Sequence, residues 1–169
     1  MERDHADRPM YRLKRWMYPN NRPNWLARVL NWMSAAQFRS GVFSSRHWVV
    51  MEVAGFRSGK LISSPLVAVD FEGERYLVSM LGRDANWVRN VRAANGRVVL
   101  RHGDREAVRL VDVPVERRAP IIRRYLDYAP GARPHIPVKR GAPLEEFEKI
   151  TDRYPVFQIL TGPQAPPKA

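Results

Sequence analysis

The stretch "HWVVMEVAGFRSGKLISSPLVAV", His47 to Val69, reads as two short strands rich in β-branched and aromatic residues, joined by a turn bounded by Gly55 and Gly59. Arg57, Ser58 and Lys60 lie on that turn, so a hairpin tip is loaded with donors. The downstream pattern is similar. "DFEGER" signals a second tight turn, and "YLVSML" reads as the next strand. "RVVLRHGDREAVRLVDV" then reads as two strands about a His-Gly-Asp turn, and "PVFQIL" as a last strand.

Helices are interposed between these hairpins. Asp84 is placed to cap "DANWVRNVRAAN", whose Trp87, Val88 and Val91 share one helical face before an Asn95-Gly96 stop. "VERRAPIIRRYLDYA" carries Ile121, Ile122, Tyr125 and Leu126 on one face, and "LEEFEKITDRY" is expected to be helical. Near the start, Asn24 precedes "WLARVLNWMSAAQF", an amphipathic helix by its spacing. Short strands in hairpins with a few helices fit a small antiparallel barrel, not a doubly wound parallel sheet. The expected class is therefore α+β and mainly β. The expected organisation is a basic N-terminal arm and helix over 1–45, a barrel over 46–160 and a disordered tail over 161–169.

At 169 residues and 44% hydrophobic content, the chain has the size and the apolar supply of one domain. A formal charge of +12 predicts an anionic partner: nucleic acid, a membrane surface, or a phosphate- or carboxylate-bearing ligand. Cysteine is absent, which excludes disulfides and thiolate metal sites. The four histidines lack metal-ligand spacing, so no metal is expected. No signal peptide or membrane-spanning run is read, and the expected location is the cytoplasm. Trp16, Trp25 and Trp32 among Arg12, Lys14, Arg15 and Arg28 describe a helix that either caps the barrel or touches an anionic membrane peripherally.

Gly55 to Lys60 is not a P-loop, because only three residues separate the glycines and Leu61 stands where a magnesium-holding hydroxyl belongs. The turn nonetheless offers backbone N–H groups, a guanidinium, a hydroxyl and an ammonium, which suit phosphate oxygens. "GRDANWVRN" adds Arg83 and Arg89 near a helix N-terminus, which also favours an anion. The bland alternative makes Arg57 and Lys60 solvated turn charges and Trp87 core packing.

"AGFRSGKLISSPL", followed by a strand and "WVRNVRAANGRVVL", resembles the deazaflavin (coenzyme F-420)-dependent nitroreductase and quinone reductase family, from about Val49 to Val113. A weaker likeness continues in "TDRYPVFQIL". The resemblance implies a split β-barrel similar to FMN-binding proteins. It also implies hydride transfer from a reduced 8-hydroxy-5-deazaflavin to a quinone, nitroaromatic or activated enone.

Carried over by motif, Phe56, Arg57 and Ser58 match the phosphate-binding turn, and Pro65 and Leu66 match the strand after it. Ser79, Met80 and Leu81 match a strand end flanking the deazaflavin, while Trp87, Val88, Arg89 and Asn90 match the W-x-x-N helix. The chain departs from the pattern at Phe56 and Ile62, where basic residues are usual, and Lys60 and Arg83 are the candidate substitutes. On the acceptor side the resemblance points to "YLDYAPGARPHI". Tyr128 and His135 are its candidates to meet an acceptor oxygen, while Tyr125 reads as core. FMN as the cofactor, a non-catalytic ligand carrier and a basic nucleic-acid-binding barrel are the alternatives. Monomer and homodimer both stay open.

Overall fold

The computed structural model describes residues 47–162, so the N-terminal arm, the amphipathic helix after Asn24 and the end of the tail lie outside the described residues. Six strands form a closed antiparallel barrel: β1 (Trp48–Ala54), β2 (Leu61–Phe71), β3 (Glu74–Val78), β4 (Arg97–His102), β5 (Asp104–Asp112) and β6 (Val156–Thr161). Around the barrel the order is β1-β2-β3-β6-β5-β4, with β4 returning to β1. The six strands and both tight turns read from the sequence are present. Glu72 (φ 50°) and Gly73 (φ 80°) turn β2 into β3, and Gly103 (φ 79°) turns β4 into β5.

Alternation along the strands aims one face inward. Val49, Met51 and Val53 of β1 meet Val98 and Leu100 of β4, Val108 and Leu110 of β5, Leu77 of β3, and Phe157 and Ile159 of β6 in a single core. The register at closure sets Met51 opposite both Ser64 and Leu100. On the outer face Glu52 clasps the closing strands together, since its carboxylate accepts from Arg101 of β4 and Arg105 of β5 at 2.9 Å each.

Helix α1 (Asn86–Ala93) belongs to this core through Trp87, Val88 and Val91, and the Trp87 ring lies 5.5 Å from that of Phe157. Asp84 does not cap it. Ala85 occupies the N-cap position without a side-chain bond, and Asp84 is instead paired with Arg89. Helix α2 (Arg118–Tyr128), preceded by a 3-10 turn at Val115–Arg117, packs on β2 and on the short α3 (Leu144–Glu148). Tyr125 is buried in that packing, and burial pushes its phenol well above the usual range. The sequence reading extended the last helix to Tyr154, but after Glu148 the chain goes through turns that carry Thr151 to the buried Arg118. The Arg118 guanidinium donates to the Val113 and Thr151 carbonyls, fastening α2 to the end of β5, and desolvation lowers its pKa. Among the described residues no helix is long and apolar enough to cross a membrane.

The exit of α1 depends on Gly96. It has φ +77°, donates to the Val91 carbonyl and accepts from Leu110 N–H at 2.8 Å; a Cβ there would overlap the Leu110 carbonyl oxygen. Gly73 has a similar φ, +80°, and open space around it. Gly73→Ala is expected to cost about 1 kcal/mol from its backbone conformation alone, and Gly96→Ala at least about 2 kcal/mol more because β5 must shift. Denaturant unfolding of the two variants against the parent measures the difference.

Candidate functional site

The turn from β1 to β2 closes on itself through Gly55 N–H to the Lys60 carbonyl and Gly59 N–H to the Gly55 carbonyl, both 2.8 Å, with Gly59 at φ +64°. Ser58 Oγ accepts from Lys60 N–H at 3.3 Å and keeps its own proton to donate. The turn is also held from outside. Phe56 N–H donates to Asn90 Oδ1 at 3.0 Å, and Asn90 is a buried residue on α1 beside Trp87 and Val91. This bond brings together two sequence segments 34 residues apart.

Between them lies a cavity of about 230 Å³ lined by Gly55, Phe56, Arg57, Ser58, Ile62, Asn86, Arg89 and Asn90. No carboxylate lines it. Arg57 stacks over the Phe56 ring at 5.1 Å, and among the described residues neither Arg57 nor Lys60 meets an acid. Arg89 is paired with the exposed Asp84 at 2.9 Å. A Cβ on Gly55 would lie 2.7 Å from the Ile62 side-chain tip and 2.8 Å from Ser58 Oγ, so a larger residue where the chain borders the cavity would have to displace both side chains. The donors are two guanidiniums, a hydroxyl and the side-chain amides of Asn86 and Asn90, a set that fits phosphate or carboxylate oxygens.

A second cavity, of about 300 Å³, is lined by Met80, Leu81, Gly82, His135, Arg153 and Tyr154. Its floor follows the end of β3. The strand stops at Val78, so Ser79 to Leu81 form a turn rather than the strand end read from the sequence. Ser79 is fully buried, with its N–H on the Pro155 carbonyl and its hydroxyl donating to the Gly82 carbonyl at 2.7 Å. That proton is committed, so Ser79 shapes the turn that presents Met80 and Leu81. Tyr154 donates its hydroxyl to the His135 carbonyl at 2.8 Å, tying the loop after α2 to the turn before β6.

Not every residue singled out in the sequence arrives at these cavities. Trp87 and Val88 are core residues that seat α1, as the bland alternative held for Trp87. Pro65 and Leu66 sit within β2 opposite Val50 and Val49. Arg83 reaches away from the basic turn, with its guanidinium on the carbonyl and carboxylate of Asp152. Tyr128 and His135 are separated. Tyr128 stacks against His47 at 4.2 Å and accepts from Arg124 at 2.8 Å, and it lines neither cavity. Ile62 and Asn86 at the first cavity, and Gly82, Arg153 and Tyr154 at the second, are not among the candidates read from the sequence. Arg153 and Tyr154 do lie in "TDRYPVFQIL", the weaker part of the sequence likeness.

The Asn90 tether can be tested without any ligand. Asn90→Ala leaves Phe56 N–H without its acceptor and is expected to cost about 1–3 kcal/mol of stability. It should also speed tryptic cleavage after Arg57 and Lys60 in the folded protein, measured by mass spectrometry of a time course. Cleavage no faster than in the parent would show that the turn holds itself.

No curated protein matches the chain. Among solved structures, an F420-H2 dependent reductase (FDR-A) is 25% identical, covers 68% of this chain and 95% of its own, and has a TM-score of 0.47. A structure described as a domain-swapped dimer is 22% identical over 78% of this chain and 99% of its own, with a TM-score of 0.47. An F420 reductase is 10% identical over 73% and 92%, with a TM-score of 0.44. The sequence model for F420H(2)-dependent quinone reductase matches residues 31–139, a span that contains the basic turn, the Ser79–Gly82 turn, all of α1 and His135. With more than half of its length matched, the chain belongs to the F420H(2)-dependent quinone reductase family, and it is an oxidoreductase whose cofactor is coenzyme F-420.

Proposed function

We propose that this chain passes a hydride from reduced coenzyme F-420 to a quinone or another electron-poor acceptor such as a nitroaromatic or an activated enone. The observation that supports this reading most directly is the acid-free cavity built where the basic turn meets α1. Its donors fit the phosphate-bearing tail of the cofactor. Arg57 and Arg89 would hold that tail by charge, and Ser58 and the turn by hydrogen bonds, with Lys60 on the same turn, outside the cavity lining, adding charge. When bound, the reduced cofactor supplies the hydride.

The remaining work falls to side chains of this chain. Met80 and Leu81, displayed by the Ser79 turn, provide apolar surface for a flat ring and exclude water from it. His135 lies in the same cavity and is the proposed group to give a proton to the acceptor oxygen. Tyr128 holds its hydroxyl toward Arg124 and, in this reading, serves the C-terminal end of α2 rather than the acceptor.

Calorimetric titration with oxidised coenzyme F-420 and with FMN, on the parent and on Arg57→Ala, tests the assignment. The parent should prefer coenzyme F-420, and Arg57→Ala should weaken binding by about ten-fold or more, the worth of one charge-assisted bond. Preference for FMN would keep the barrel and change the chemistry, and binding of neither would favour the carrier or nucleic-acid alternatives. In quinone turnover, His135→Ala should lower kcat by about ten- to a hundred-fold with little change in KM. Unchanged kcat with every quinone tried would remove His135 from the reaction.

A further inference from the structure

Arg153 stands apart from its neighbours in the second cavity. The adjacent Asp152 is engaged by Arg83, through both its carbonyl and its carboxylate, so the one acid beside Arg153 in the chain is already in use. Among the described residues Arg153 itself makes no side-chain hydrogen bond or ion pair. Tyr154 spends its hydroxyl on the His135 carbonyl and so contributes position rather than a free donor. Gly82, at φ +82°, approaches so closely that a Cβ would sit 3.3 Å from the Arg153 carbonyl oxygen, which fixes the Arg153 backbone against the Met80–Gly82 turn. The result is a cavity with two apolar side chains, Met80 and Leu81, an imidazole and an uncommitted guanidinium.

We propose that this cavity selects acceptors that carry an acidic group on a flat apolar ring, with Arg153 as the counter-cation. The ring meets Met80 and Leu81, and the guanidinium donates to the acidic group, with two parallel bonds to a carboxylate or a single-oxygen contact to a phenolate. A cavity of about 300 Å³ suits a ligand of one or two rings. The inference rests on the proposed reductase reading for the word acceptor, but the acid preference itself can be measured with no cofactor present.

The test uses the full chain, a naphthoquinone carboxylic acid and its methyl ester, with binding followed by calorimetry. The parent should bind the acid about ten-fold more tightly than the ester, and Arg153→Gln should bring the two together through loss of the acid alone. Arg153→Lys should keep part of the preference, since the charge stays and the fork is lost. Arg109→Gln, an exposed site on β5, removes the same charge elsewhere and should leave the preference intact. The preference should persist when coenzyme F-420 is present at saturation.

Equal binding of acid and ester by the parent overturns the proposal, as does a preference that survives Arg153→Gln. An equal effect of Arg109→Gln would assign the preference to the overall +12 charge. Loss of acid binding under saturating cofactor would assign the cavity to the cofactor itself. Failure of the reductase reading would appear separately, as absence of coenzyme F-420 binding in the Arg57 titration.

Discussion

Burial of one face of α1 in the barrel is the constraint on which the site depends. Trp87, Val88 and Val91 enter the core with Phe157, and that packing leaves α1 a single orientation. Asn90 lies on the same buried face, so its amide oxygen is carried to the Phe56 N–H without freedom of its own. The basic turn thereby inherits its position from apolar packing. Asn86 and Arg89, on the face of α1 turned from the core, become the opposite wall of the first cavity. A hairpin tip with two glycines would otherwise be among the least ordered parts of a barrel.

Charge distribution acquires meaning only when the pairs are known. A net charge of +12 spread along the chain suits many anionic partners. Arg75 is met by Glu106, Arg101 and Arg105 by Glu52, Arg92 by Asp112, and Arg140 by Asp127. Apart from the pairs to the buried Glu52, these lie at the surface, where each contributes modestly. Arg57, Lys60 and Arg153 meet no acid among the described residues, and Arg57 and Arg153 line the two cavities. Arg97, Arg109, Arg117 and Arg123 also lack an acidic partner among the described residues, so it is position at a cavity, and not the missing partner alone, that sets Arg57 and Arg153 apart.

The barrel was legible because its signals are local. β-branched runs and glycine turns specify strands and hairpins within a few residues, so all six strands could be read. Local signals also misled. Asp84 has the right place for an N-cap, yet an ion pair with Arg89 holds it elsewhere, and Ala85 begins the helix. "YLVSML" continues an apolar run beyond Val78, but Pro155, opposite Ser79, has no N–H to return a ladder bond, and the Ser79 hydroxyl turns to the Gly82 carbonyl. The acidic start of "LEEFEKITDRY" is helical only to Glu148, because Arg118 draws the Thr151 carbonyl away. In each case a partner distant in sequence, or a side chain rotated to another bond, outweighed the local preference.

The site was legible where a motif is contiguous and illegible where loops cross. Gly55 to Lys60 could be read as an anion turn from its own residues, and the α1 motif supplied its partner. The second cavity depends on three segments meeting: the Ser79 turn, the loop that carries His135, and Arg153-Tyr154 ahead of β6. Their meeting is fixed by two bonds, from Ser79 N–H to the Pro155 carbonyl and from the Tyr154 hydroxyl to the His135 carbonyl. Both end on backbone carbonyls, which every residue has, so no side-chain pattern announces the pairing. The same geometry explains why Tyr128 and His135, seven positions apart on a loop-bearing stretch, reach different surroundings. Helix α2 ends at Tyr128 and holds its ring by His47, whereas the turns from Pro130 onward deliver His135 to Tyr154. The segment from Met80 to Asn86 joins the two cavities, its first residues lining one and its last the other. The buried Ser79 and Trp87 flank that segment and hold its two ends in place.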